Sequence, residues 1–283
     1  MTGRGGRRAR RLGVTLAAVA LTTVLSAVLA GCGASEPEPD APPPDSDPAQ
    51  VDAVESPELG ACRLLDKDDI AAAADATPTV PCGKRHTAQT YAVGELPDQL
   101  QDTDYDSQEM ASFAYRTCGT MLREFLGADE SLSMRTVLSW AWFRPSPEAW
   151  DQGARWYRCD VVGGGEQITE LVSLPETAKG LLQGRPDDRW MVCARGNTVA
   201  GSVKLPCTEA HDWRAVTTIK LGEADDPYPG DRLSEVQSRD FCRKSVQAWL
   251  NYPVAFDFGY TWFGEVDWAS GNRRAVCWAR TGE

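Results

Sequence analysis

Pro81-Cys82-Gly83-Lys84-Arg85-His86 and Pro206-Cys207-Thr208-Glu209-Ala210-His211 contain the only two histidines of this 283-residue chain, and the two stretches share one form. The likeness extends outward on both sides. Eight cysteines fall into two sets of four in similar order, Cys62, Cys82, Cys118, Cys159 and then Cys193, Cys207, Cys242, Cys277. Each set closes with Trp-x-x-Gly-x-Arg-x-x-x-Cys, starting at Trp150 and at Trp268. Such self-similarity marks a tandem duplication, so one module is expected twice.

Within the first copy, Met110, Phe113, Ala114, Cys118, Met121, Leu122 and Phe125 recur at helical spacing and place one face of a long helix against a core. Gly127 then stands where a left-handed residue ends a helix. Aligning Cys118 with Cys242 sets Leu122 on Val246, Phe125 on Trp249, Leu126 on Leu250 and Gly127 on Asn251. Asparagine is the second choice at that position, so the stop signal recurs as well. An aromatic strand follows each helix, Leu138 to Phe143 and Phe258 to Phe263, and these aromatics are expected in the core. Thr90 to Leu96 and Ala215 to Leu221 read as strands ahead of the helices, and a last strand carries Cys159 or Cys277. The fold class is therefore α+β: two tandem disulfide-stapled modules, each one long helix packed on a small antiparallel sheet. Residues 59–183 hold the first and 184–283 the second, with the seam at Gly184-Arg185-Pro186-Asp187-Asp188.

Cysteine pairing follows if both copies pair alike and internally. The helix cysteine lies on the buried face and the last strand must pack against it, which joins Cys118 to Cys159 and Cys242 to Cys277. By elimination Cys62 pairs with Cys82 and Cys193 with Cys207. Loops of these lengths give about 3 to 4 kcal/mol per bridge in the chain-entropy model.

Residues 1–31 carry five arginines and no carboxylate, then an apolar run ending Leu29-Ala30-Gly31-Cys32. This reads as a lipoprotein signal peptide, with Cys32 as the lipidated residue. Lipidation also accounts for the ninth cysteine, which has no partner in either set. Loss of residues 1–31 takes the net charge from −12 to −17. An acidic surface repels phosphate backbones, so nucleic acid is excluded as a partner, and the lipid is expected to hold the protein on the extracytoplasmic face of the membrane. Residues 32–58, rich in proline, aspartate and glutamate, form an extended tether reaching about 80 Å at about 3.1 Å per residue.

Cys-x-x-x-His invites a zinc reading, but outside the cytoplasm those thiols oxidise, and thiolate ligation would strand Cys62 and Cys193. No metal or other cofactor is implied. His86 and His211 are read as turn caps that bond through the ring, with a pH-responsive contact as the alternative. Trp150-Asp151-Gln152-Gly153-Ala154-Arg155 and Trp268-Ala269-Ser270-Gly271-Asn272-Arg273 read as turns leading into the last strand, after a helical turn capped by Ser146 in the first copy. In them the glycine supplies a backbone angle and the arginine stacks on the tryptophan. If a ligand binds there, an aromatic beside an arginine would take a sugar ring or an acidic peptide, which makes Trp150, Arg155, Trp268 and Arg273 candidate binding residues, with His86 and His211 in the same set. No catalytic residue is assigned: the nucleophile motifs and the His-Glu-x-x-His motif are absent, and Gly163-Gly164-Gly165 lacks the lysine and helix start of a phosphate loop.

Taken together, Pro81, Cys82, His86, Cys118, Trp150, Gly153, Arg155 and Cys159 with their second-copy counterparts resemble the septum-formation-related domain of exported actinobacterial proteins. Gln89 and Arg214 depart from it, standing where that family carries an acidic residue. The resemblance implies a cell-envelope protein with a role in forming the division septum, and no known reaction. The expected function is that of a lipid-anchored, non-catalytic binding module for wall material or for an envelope or division protein. Its alternatives are a wall hydrolase using a carboxylate pair and an extracytoplasmic sensor or ligand-binding lipoprotein. Oligomeric state is not encoded in any motif.

Overall fold

Each half of the chain folds around a cysteine on a long helix and a cysteine on the strand beneath it. The computed structural model describes residues 54–165 and 168–282; the stretch expected to be a signal peptide, Cys32 and the expected tether up to residue 53 lie outside them. In the first copy the order is β1 (Cys62–Arg63), α1 (Lys67–Ala71), β2 (Thr79–Val80), β3 (Ala88–Glu95), α2 (Asp98–Gln101), α3 (Gln108–Leu126), α4 (Glu130–Ser133), β4 (Ser139–Phe143), α5 (Pro147–Asp151) and β5 (Trp156–Val162). The second copy follows as β6 (Val192–Arg195), β7 (Val203–Pro206), β8 (Trp213–Lys220), α6 (Asp231–Trp249), β9 (Phe258–Trp262), α7 (Glu265–Ser270) and β10 (Arg274–Arg280). Two five-stranded antiparallel sheets result, ordered β2-β1-β3-β5-β4 and β7-β6-β8-β10-β9. The class is α+β.

Helices α3 and α6 are each 19 residues long. The buried residues of α3 are Met110, Ala114, Cys118, Leu122 and Leu126, and those of α6 are Ser234, Ser238, Cys242 and Val246. Both sets follow a strict i, i+4 row, which is narrower than the stripe read from the sequence. Met121 lies off that row and is exposed. Both helices end in the same left-handed stop. Gly127 has φ 72°, with Gly127 N–H donating to Glu124 O and Ala128 N–H to Arg123 O. Asn251 has φ 65°, with Asn251 N–H donating to Ala248 O and Tyr252 N–H to Gln247 O. This pair of bonds caps the last free carbonyls.

Four disulfides close within the copies, Cys62–Cys82, Cys118–Cys159, Cys193–Cys207 and Cys242–Cys277, with Cα–Cα distances of 5.3, 5.6, 4.9 and 5.0 Å. The second and fourth tie each long helix to the central part of its sheet. The first and third fasten the short strands β1 and β6, which carry too few residues to show alternation in the sequence.

The aromatic strands correct one expectation. Phe143 is fully buried, but Trp140 and Trp142 are only partly covered, and every residue of β9 is partly exposed. Both are edge strands, so their aromatics pack on one side only. Phe256, Phe258, Tyr260 and Trp262 instead form a ladder with ring centroids 6.0 to 6.2 Å apart beside α6.

The two copies share a core. Leu122, Leu126, Val137 and Val161 of the first pack in one cluster with Ala194, Trp213, Ala215, Val276 and Trp278 of the second, and Leu174, Ala178 and Leu182 of the intervening segment join them. A stitch reinforces the junction: Val137 N–H donates to Trp190 O and Val192 N–H to Arg135 O, both at 2.9 Å. Among the described residues no helix is long and apolar enough to cross a membrane.

Candidate functional site

The histidines sit where each Cys-x-x-x-His turn meets its long strand. A carbonyl can only accept, so the Nδ1–H of His86 donates to Lys84 O at 2.8 Å and that of His211 to Glu209 O at 2.7 Å. Each ring thus closes its own turn. Cys82 and Cys207 are in disulfides and offer no thiolate to a metal. Gln89, one of the departures from the family pattern, accepts from Ala178 N–H at 2.9 Å, and so anchors the segment between the copies.

At the closing motif, α5 begins with Ser146 accepting from Ala149 N–H at 3.2 Å, and Gly153 adopts φ 96° to turn the chain into β5. The Arg155 guanidinium lies 4.0 Å from the Trp150 ring centroid. It donates to Gln101 O at 2.9 Å, Trp150 O at 2.7 Å and Ala154 O at 2.8 Å. The second copy repeats this geometry. Gly271 has φ 123°, Arg273 lies 4.9 Å from the Trp268 ring, and its guanidinium donates to Glu223 O, Trp268 O and Ala224 O, each at 2.6 Å. Trp268 is buried and donates from Nε1 to Asp226 O at 2.8 Å. The candidate binding residues are thus brought together in pairs, with each arginine clamping the loop that precedes its long helix.

A concave site forms elsewhere, between the copies, as a cleft of about 550 Å³. Tyr115, Leu122 and Arg123 of α3 and Trp140 of β4 make one wall. The other is the sheet face of the second copy turned away from α6, with Thr261, Val276 and Trp278, extended by Trp262 and Phe263. Its rings are held in place: Tyr115 and Trp140 meet edge to face at 6.2 Å, and Trp278 Nε1 donates to Thr261 Oγ1 at 3.2 Å. An ion pair joins the walls, Arg274 Nε to Glu130 Oε2 at 2.5 Å.

Charge in the cleft is uneven. Lys204 places its ammonium 4.8 Å from the Trp278 ring and donates to Val199 O at 2.9 Å and Ser202 O at 3.3 Å, with no carboxylate partner among the described residues. Burial pulls its pKa down to about 8. Burial also pushes the Tyr115 phenol up to about 12, leaving it a neutral donor. Rings for stacking with the Lys204 ammonium held beside them suit a ligand that has a ring or apolar edge and a negative group. Sequence reading passed over Tyr115, Trp140 and Lys204 because they come from three separate stretches of chain. The one available signal was the density of aromatics in β4 and β9.

Residues 31–143 and 135–277 each match the model of the Septum formation family. The chain belongs to that family. Both matches to the septum-formation model together span most of the chain, and the second begins at Arg135, so it takes in β4, β5 and the segment between the sheets. No curated protein and no solved structure matches the chain. Of this septum-formation protein, the walls of the cleft and both Cys-x-x-x-His turns fall within the matched residues.

Proposed function

We propose that this protein acts in septum formation as a non-catalytic binding module, held by a lipid on Cys32 at the outer face of the membrane and presented to the wall by its acidic tether. The cleft between the copies carries this reading: it is built from rings on two walls, with the Lys204 ammonium beside Trp278, and is fixed by disulfides and by the Glu130–Arg274 pair. Four closed disulfides support an oxidising compartment. Glu130 and Asp267 also line the cleft, so a wall hydrolase using two carboxylates is the second reading.

Purified full-length protein in detergent micelles, incubated with peptidoglycan, separates the two. Sedimentation with the wall and no released fragments is expected, with retention weakened about tenfold by Trp140→Ala or Lys204→Ala. Soluble fragments that disappear in Glu130→Gln would establish the hydrolase. Protein that neither sediments nor cuts would overturn both and turn attention to small-molecule sensing, read by a thermal-shift screen. For the anchor, Cys32→Ala is expected to move the protein from the membrane fraction to the medium.

A further inference from the structure

A second cavity, of about 580 Å³, opens at the seam between the copies and is walled by three arginines, Arg135, Arg185 and Arg214. One carboxylate, Asp188, shares the wall and accepts a hydrogen bond from Arg214. Arg135 donates from Nε to Ser131 O at 3.0 Å and from Nη1 to Val216 O at 3.1 Å, bonds that fix the guanidinium without neutralising it. Arg185 is exposed and has no ion-pair partner among the described residues. Three guanidiniums and a single carboxylate thus line one cavity of a chain whose net charge is −12. Burial lowers the pKa of Arg135; the Asp129 carboxylate opposes the shift and Arg214 adds to it.

A further observation points to an occupant. Thr281 Oγ1 is a buried hydroxyl on this wall with no hydrogen-bond partner among the described residues, a cost that a bound acceptor would remove. Leu132, Met191 and half-exposed Trp249 supply an apolar side to the same space. We propose that this cavity binds an oxyanion, phosphate or carboxylate, carried on a small aromatic or apolar body: the anion meets the three guanidiniums and Thr281, and the body lies against Trp249 and Leu132. Guanidinium forks match both oxyanions, and the ring requirement sets them apart from simple buffer ions. The site is independent of the cleft proposed to hold wall material.

Titration calorimetry on the full-length protein in micelles tests it, with phenyl phosphate, benzoate, inorganic phosphate and neutral benzyl alcohol as probes. Stoichiometric binding of phenyl phosphate or benzoate is expected, whichever of the two is tighter naming the oxyanion. Inorganic phosphate should bind at least about tenfold more weakly and benzyl alcohol not at all up to about 10 mM. Arg185→Gln with Arg214→Gln should weaken the aromatic anion about tenfold or more while leaving the circular dichroism unchanged. Trp140→Ala should leave it unaltered, which separates this site from the cleft. Failure of both aromatic anions to bind, equal binding of benzyl alcohol, or affinity unchanged in the double variant would each overturn the proposal. If the double variant does not fold, Arg185→Gln alone, on an exposed side chain, must still show weakened binding.

Discussion

The two copies share a frame and differ on the sheet face turned away from the long helix. In the first copy that face carries charge: Arg63, Thr90, Arg158 and Asp160 are all buried there. Strand register aligns the same four positions of the second copy with Ala194, Ala215, Val276 and Trp278, all apolar. The connections explain the difference. Between β1 and β2 the first copy has room for α1 and for Asp75, whose side chain is 3% exposed and meets Arg158 Nη2 at 2.5 Å. Between β6 and β7 the second copy has only residues 196–202, so its face is covered by the segment after β5 and by the first copy itself. A self-closing face can hold an ionic cluster made entirely from its own chain, whereas a face that docks on a neighbour is built from apolar groups that need no matched partner.

The cluster is held by few good bonds. Thr90 Oγ1 donates to Asp160 Oδ1 at 2.7 Å and accepts from Arg63 Nη1 at 2.9 Å. Arg158 Nε approaches Asp160 Oδ2 at 3.0 Å without hydrogen-bond alignment, as both atoms lack a hydrogen-bond partner. Burial pushes the Asp160 carboxyl above its ordinary range while Arg158 opposes it. The largest expected effect follows. Asp160→Ala leaves Arg158 and Arg63 buried around one remaining carboxylate and should cost about 3–5 kcal/mol in urea unfolding. Replacing all four charges at once (Arg63→Ala, Asp75→Ala, Arg158→Val, Asp160→Leu) makes the face resemble the second copy and should cost less than Asp160→Ala alone. A larger loss would mean that the cluster contributes net stability and that the two faces are not interchangeable.

The helix stops differ more gently. Gly127→Ala puts a Cβ at φ 72° and 2.4 Å from Gln183 Cγ, and should lose about 1–2 kcal/mol. Asn251→Gly in the matching position should gain less than about 1 kcal/mol. Thermal unfolding of the pair, measured together, would break the equivalence of the stops if Asn251→Gly were destabilising.

The smallest effect concerns Lys204, which has no charged neighbour on the sheet face of the second copy. Its folded pKa, about 8, lies below the ordinary 10.5, so between these values the unfolded chain binds more protons. Stability contributed by this group therefore rises as pH climbs from about 8 to 10.5 and is absent below. Subtracting the pH profile of Lys204→Met from that of the parent should isolate the rise; identical profiles would place the ammonium in solvent.

Much of the frame was legible because its signals are local. The helical stripe around Cys118 and the left-handed stops at Gly127 and Asn251 are each written in neighbouring turns of one helix, and the cysteine order is legible because it repeats. Strands β1, β2, β6 and β7 were missed, since two to four residues cannot show a period. Arg158 and Asp160 drew no reading from the sequence, and only the strand pairing with Thr90 and the approach of Asp75 from 83 residues away reveal them as interior. Trp150 with Arg155 had the composition of a binding platform. Composition does not reveal that the guanidinium faces three backbone carbonyls. The cleft and the arginine cavity are both assembled across the copies, and no spacing rule reaches that far.

The bond between Cys118 and Cys159 has a consequence for wear. It encloses the exposed turn at Gln152-Gly153, so a protease that nicks the chain there leaves both fragments covalently joined. A nicked molecule would gain only one water in mass and would come apart into two pieces only after reduction, so damage to this surface loop would be silent in an oxidising environment.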